Sequence, residues 1–173
     1  MYGGHMPSEA FVQALQDQIG REFAAAHQYT AIGVHYDSVT LPRLARFFHK
    51  QAEEEREHAT RMINYLVDAG VPVKLGEVAA PVGTFEDHVA PIQHALEQER
   101  SVTVQIARLF ELARDTKDFA SESFMQWFLD EQVEEEATIQ SLLDVAERVR
   151  QFPMMLEEFL ARDGDNLARA NGG

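Results

Sequence analysis

Four glutamates sit at positions where a helical period demands apolar side chains. Between Leu44 and Leu66, a stripe of Leu44, Phe48, Ala52, Ala59, Met62 and Leu66 passes straight through Glu55. Glu22 lies in the same way between Leu15/Ile19 and Ala26, Glu99 between Ile92/Leu96 and Val102/Ile106, and Glu135 between Phe128 and Ile139/Leu142. A bare carboxylate in an apolar interior costs several kcal/mol, and four facing one another would also repel. Either they stay protonated or a multivalent cation neutralises them, and the sequence favours the cation.

The spacing repeats. Glu22 and Glu55 are 33 residues apart, as are Glu99 and Gln132, and three residues beyond each second member come His58 and Glu135. The two halves read Glu…Glu-x-x-His and Glu…Gln-x-x-Glu, and an i, i+3 pair lies on one helix face, so each motif aims two donors at one point. Glu22, Glu55, Glu99 and Glu135 together carry the charge that two divalent cations balance. An oxygen-rich set with one imidazole and no sulfur suits iron or manganese and also accepts zinc, with room left for water, O₂ or peroxide.

A second layer of acids surrounds these: Glu54 beside Glu55, and Glu131 and Glu134 beside Glu135. Like charges at i, i+3 and i+4 destabilise a helix by about 0.2–0.5 kcal/mol per pair, so the grouping suits a third, weaker cation. A solvated acidic face is the competing explanation, and it accounts well for Glu53, Glu57 and Glu136. Tyr29, seven residues after Glu22 on the same face, is either a hydrogen-bond or electron donor to the site or a core tyrosine with a satisfied hydroxyl. Trp127 precedes Glu131 by four residues and packs nearby. His27, His35, His49, His88 and His94 lie off the acid stripe and read as surface or structural, and Met62, Met125, Met154 and Met155 as core fillers.

Four long helices and a short fifth would position these groups. Ser8 is an N-cap for a helix continuing toward Tyr36. Pro42 opens a second helix that ends at Gly70, and 70–90 reads as a long connection without period. A third helix runs from about 85–91 to Arg114, a turn follows at 115–118, and a fourth helix runs to about Arg150. Pro153 opens a short amphipathic helix carrying Met154, Leu156, Phe159 and Leu160. Two helical hairpins joined by a long crossover define an all-α four-helix bundle with one crossover. Residues 1–7 read as a leader, native or left by expression cloning, 8–162 as the di-metal domain and 163–173 as a flexible tail.

Composition narrows the function classes. With 173 residues and 45% hydrophobic content the chain suits one domain with a proper core. The absence of cysteine excludes disulfides, thiolate metal sites and thiol catalysis. A formal net charge of −14 disfavours nucleic acid and anionic membranes and suits a protein that handles cations. No apolar run is long enough for a membrane span, and no signal-peptide core precedes the first helix, which points to the cytoplasm.

Glu22 through Tyr29, Glu54-Glu55-Arg56-Glu57-His58, Glu99 through Thr103, and above all Phe124 through Glu136 resemble the prokaryotic non-haem ferritins. The resemblance extends from about Ser8 to Arg162, and the Trp-Phe-x-x-Glu-Gln segment is its most specific part. It implies a ferroxidase centre in which Glu22, Glu55 and His58 hold a first iron, Glu55 bridges, and Glu99 and Glu135 hold a second. Gln132 would orient O₂ or a bound water, Tyr29 and Trp127 would be the aromatic groups near the centre, and Glu54, Glu131, Glu134 and Glu135 would form a third site. It further implies a shell of 24 identical subunits that takes Fe²⁺ and O₂ as substrates and stores a ferric mineral.

Related families fit less well. Haem-binding bacterioferritins place an axial methionine two residues before the site histidine, where this chain has Arg56, which offers no lone pair to iron, so no haem is expected. Their second Glu-x-x-His, shared with rubrerythrins, is replaced here by Gln132-Val133-Glu134-Glu135. The small DNA-protecting relatives lack this acid set inside the bundle. Two alternatives stay open: a di-metal redox enzyme without storage, such as a peroxidase or oxygenase, and a helical scaffold with a structural metal.

Overall fold

The computed structural model describes residues 6–169. Five helices follow in order: α1 (Glu9–Ser38), α2 (Pro42–Asp68), α3 (Ala90–Asp115), α4 (Phe119–Arg148) and α5 (Pro153–Arg169). Side-chain caps start α1 and α4: the Ser8 hydroxyl accepts from the Phe11 N–H at 3.2 Å and the Asp118 carboxylate from the Ser121 N–H at 3.0 Å. The hairpin turns use left-handed residues, Thr40 at φ 62° between α1 and α2 and Lys117 at φ 55° between α3 and α4. Gly70 ends α2 at φ 74°, where a glycine carries no side-chain penalty.

α1 packs along α2 and α3 along α4, and the crossover joins the two hairpins. The crossover has no helix or strand of its own, so its backbone polar groups need side-chain partners. Gln28 supplies two: its amide donates to the Val82 carbonyl and accepts from the Val82 N–H, each at 2.8 Å. The Tyr36 hydroxyl donates to the His88 carbonyl at 2.6 Å, and Gln16 accepts from the Lys74 N–H at 2.7 Å.

The expected helices are present with shifted ends. α3 starts only at Ala90 and α4 stops at Arg148. The fifth helix differs most. It continues past Arg162 to Arg169, through a segment the sequence reads as a tail. Gly164 interrupts the pattern there but is tolerated inside the helix, at a cost of about 1 kcal/mol relative to alanine. The expectations for residues 1–5 and 170–173 lie outside the described residues. α5 packs across α2 and α4, where the buried Glu157 accepts from the Arg43 N–H and the Leu44 N–H, each at 2.9 Å. It thereby caps the start of α2, which has no side-chain cap of its own.

The core has two apolar clusters rather than one. One contains Tyr29, Ile32, Phe48, Ala52, Leu96, Ile139 and Leu142, and the other Leu15, Ile19, Met62, Leu66, Val102, Ile106 and Phe128. On every helix of the bundle the change from one cluster to the other falls at a glutamate: Glu22 on α1, Glu55 on α2, Glu99 on α3 and Glu135 on α4. The acids form a polar layer between two apolar ones.

Candidate metal centre

Each helix of the bundle delivers one carboxylate to that layer, and α2 adds an imidazole three residues further on. Glu22, Glu55, His58, Glu99, Gln132 and Glu135 are all buried, none more than 6% exposed. Hydrogen bonds satisfy only part of the set. Gln18 donates to Glu22 Oε1 at 2.8 Å, Tyr29 donates its hydroxyl to Glu99 Oε1, and Gln132 donates to Glu99 Oε2 at 3.2 Å. Glu22 Oε2, Glu55 Oε2 and Glu135 Oε2 are buried with no hydrogen-bond partner. Buried polar atoms in native proteins are almost always paired, so three orphaned carboxylate oxygens in one place point to a cation.

The donors form overlapping groups. Glu22, Glu55 and His58 each offer an atom within 4.8 Å of the others, and so do Glu55, Glu99 and Glu135. Glu55 belongs to both groups, which gives it the geometry of a shared ligand. A third group joins His58, Glu131 and Glu135 on the same criterion. His58 stands between the sets, with Nδ1 3.4 Å from Glu55 Oε2 and Nε2 3.6 Å from Glu135 Oε1.

Electrostatics in the metal-free protein reflect the crowding. Burial, then the neighbouring carboxylates Glu135, Glu99 and Glu22, push the Glu55 carboxyl well above its ordinary range. Burial and the charges of Glu99 and Glu22 do the same to Glu135. Burial also raises Glu99, but the hydrogen bonds from Tyr29 and Gln132 hold it to about 7. His58 is lowered by burial, against the pull of the surrounding acids, so its ring tends to the neutral form that ligates metals. The Tyr29 hydroxyl is raised by burial and by Glu99 and stays a proton donor.

The six core positions expected from the sequence, with Tyr29, therefore meet in one place. The outer acids are less uniform. Glu131 joins His58 and Glu135, and its carboxyl is raised by burial and by the facing Glu134 and Glu54. Glu54 is engaged by Gln51 and, at 3.2 Å, by Lys50, and Glu134 has one buried, unpartnered oxygen. Neither belongs to a ligand group among the described residues. Glu136, expected to face water, is half-buried and accepts from the Thr103 hydroxyl. Arg56 projects outward and donates to the Thr30 hydroxyl at 3.1 Å. Trp127 stands edge-on to the His58 ring at 5.6 Å. Of the remaining histidines, His49 pairs with Asp37 at 3.0 Å and lies flat against Gly33, where a Cβ would come within 2.6 Å of the ring.

Sequence reasoning missed Gln18. It is fully buried beside Leu15 and Ile19, and its i, i+4 spacing to Glu22 was the available signal. It also missed Arg61, whose guanidinium lies 3.9 Å above the Trp127 ring.

Comparison with known proteins agrees with this arrangement. The sequence matches the ferritin-like domain family over residues 12–149. It is 43% identical over 166 residues to Mycobacterium tuberculosis BfrB, named a ferritin in two strains and a bacterioferritin in a third, covering 96% of this chain and 92% of that one. It is 39% identical over 144 residues to a bacterial non-heme ferritin of Staphylococcus aureus, covering 83% and 87%. Among solved structures, an open pore ferritin from Archaeoglobus fulgidus superposes with a TM-score of 0.83 at 33% identity, over 87% of this chain and 94% of that one. A matching domain over most of the chain and relatives of this likeness, in keeping with an acid layer drawn from four helices, place the protein in the ferritin family, among its prokaryotic members.

Proposed function

We propose that this protein is an iron-storage ferritin with ferroxidase activity. Fe²⁺ and O₂ are its substrates, and the ferric product is stored as a mineral inside a shell of 24 copies. The observation that carries this reading is the set of orphaned, buried oxygens on Glu22, Glu55 and Glu135, grouped around His58 with Glu55 common to two ligand groups. Glu22, Glu55 and His58 would receive one Fe²⁺, and Glu55, Glu99 and Glu135 the other. Two dipositive ions balance the four carboxylates. A cation there offsets the burial, and the repulsion from neighbouring carboxylates, that hold Glu55 and Glu135 above their ordinary range, so iron binding releases protons.

The remaining residues orient the ligands. Gln18 holds one oxygen of Glu22 and leaves the other facing the centre. Tyr29 and Gln132 do this for Glu99, and Gln132 lies where it can also orient O₂ or a water. Two Fe²⁺ give up one electron each, and O₂ takes both electrons and two protons to leave as hydrogen peroxide. Glu131, with Glu54 and Glu134 nearby, forms a weaker third position. Arg56, turned toward Thr30, supplies no haem ligand, and haem reconstitution is expected to give no bis-methionine Soret band. No helix of the described residues is long and apolar enough to cross a membrane, in keeping with a cytoplasmic store.

The test is an anaerobic Fe²⁺ titration followed by O₂, with the assembly mass measured alongside. Binding of two Fe²⁺ per chain, rapid O₂ consumption and a mass about 24 times the 19.6 kDa chain are expected. A dimer with turnover would favour a non-storage redox enzyme. No O₂ consumption would reduce the site to a structural metal.

A further inference from the structure

Beside the metal centre, a cleft of about 460 Å³ opens between α2 and α4, lined by Glu54, Glu57, His58, Arg61, Trp127 and Glu131. His58 and Glu131 of its lining belong to the candidate ligand group that Glu135 completes from behind, and Glu135 is buried with an unpartnered oxygen. A cation travelling between the centre and solvent by this face must cross the mouth past Glu131. The acids there would be expected to hold it, yet two lining residues, Arg56 and Arg61, oppose them, and Arg56 is turned away to the Thr30 hydroxyl at 3.1 Å. Arg61 is exposed, and its guanidinium stacks over the Trp127 indole, 3.9 Å from the ring centre, while Trp127 in turn stands edge-on to the His58 ring. Stacking on an aromatic face favours this placement of the guanidinium. A positive charge is therefore favoured at the rim of the proposed cation site.

We propose that Arg61, stacked on Trp127, tunes the affinity for divalent cations at the Glu131 mouth, weakening their retention so that this position passes cations on instead of trapping them. The inference rests on the metal-centre reading above and extends it from the ligands to a residue that is not one. Its basis is charge and placement: Glu54, Glu57 and Glu131 attract a cation into the cleft, and Arg61 is set among them. Arginine stays charged at any working pH, so its repulsion does not switch off when a cation arrives.

Trp127 is the only tryptophan in the chain, and its emission reports directly on this cleft. The experiment titrates the metal-free assembly with Zn²⁺, a redox-silent probe, following bound Zn²⁺ by equilibrium dialysis and Trp127 by fluorescence. Arg61→Gln, Arg61→Lys and, as a control for net charge, Arg46→Gln are compared with the wild type. In Arg61→Gln the weak class of sites should tighten roughly fivefold, the scale expected for removing one unit charge near a divalent ion in a water-exposed cleft. The emission change should move to lower Zn²⁺ in step. Arg61→Lys keeps the charge and should stay within about twofold of wild type, as should Arg46→Gln. An unchanged weak class in Arg61→Gln would overturn the inference. So would an equal shift in Arg46→Gln, which is merely global charge, or equal tightening in Arg61→Lys, which would remove the charge argument. Absence of a tight class in the wild type would instead refute the proposed metal centre, while the Arg61 comparison would still be read from the weak sites.

Discussion

Tyr29 of α1 donates its hydroxyl to Glu99 of α3, 70 residues away in sequence, and ties one helical hairpin to the other at the level of the buried acid layer. The bond does more than fill a donor. Together with Gln132 it holds the Glu99 carboxyl down to about 7 against a burial effect that would raise it further. Metal binding requires the carboxylate form, so Tyr29 makes Glu99 available near neutral pH. Tyr29→Phe should raise the Glu99 carboxyl and shift the pH midpoint of Zn²⁺ binding upward. Loss of a partner to a ligand typically costs about 10–100-fold in affinity or activity, and a fall in that range is expected near pH 7. A Zn²⁺ titration across pH decides it: curves matching wild type would mean the hydroxyl only fills space.

The metal-free protein should become less stable as pH rises through the neutral range. Glu55 and Glu135 are held well above their ordinary value of 4.5, and Glu99 near 7, so the folded chain keeps protons that the unfolded chain has already lost. Where the folded state binds more protons, stability falls with rising pH. His58 acts oppositely, because its lowered value favours the unfolded chain on the acid side, but it is one group against three. Thermal midpoints at about pH 6 and pH 8 should therefore drop for the metal-free assembly, and saturating Zn²⁺ should shrink or invert the difference, since the cation replaces those protons. A metal-free midpoint that climbs with pH would contradict the assigned protonation.

The acid layer was legible because Glu55 and its counterparts break an apolar stripe without shifting its phase, and charge seldom takes a core position without a partner. The stripes single out Glu22, Glu55, Glu99 and Glu135, and the 33-residue repeat adds Gln132 and, three residues beyond Glu55, His58. Glutamines were harder, since Gln18 has the same periodicity as any residue at a helix edge and only the fold shows it sealed over Glu22. The outer acids show the limit of counting: phase puts Glu54 and Glu134 near Glu131 but does not decide which of them turns inward. Glu157 was invisible for another reason. Its partners are the backbone N–H groups of Arg43 and Leu44, which carry no side-chain signature.

That carboxylate supports a prediction independent of the metal. Glu157→Ala should destabilise the fold by about 1–2 kcal/mol, the usual cost of a lost helix cap, because the first N–H groups of α2 are left without partners. Glu157→Gln keeps an acceptor and should lose less. Neither should change the stoichiometry of Zn²⁺ binding, since α5 contributes no group to the acid layer. Chemical denaturation with a parallel Zn²⁺ titration separates the effects. An unaltered denaturation midpoint in the alanine variant would mean that water replaces the cap at no cost.

The outer acids should matter differently from the inner ones. A Glu131→Ala, Glu134→Ala double variant retains Glu22, Glu55, His58, Glu99 and Glu135, so two Fe²⁺ should still bind and the first oxidation should stay fast. It removes Glu131 from the group that includes His58 and Glu135, and with it the proposed staging point for iron leaving the centre. Removing two like-charged neighbours also relieves repulsion on Glu135, which Glu131 helps to raise. The first Fe²⁺ pulse should therefore match wild type, while later pulses slow severalfold as the centre clears less readily. Stopped-flow absorbance over repeated small Fe²⁺ additions measures this. Collapse of the first pulse would make Glu131 or Glu134 a ligand of the oxidising pair, and wild-type rates on every pulse would leave both as an acidic surface.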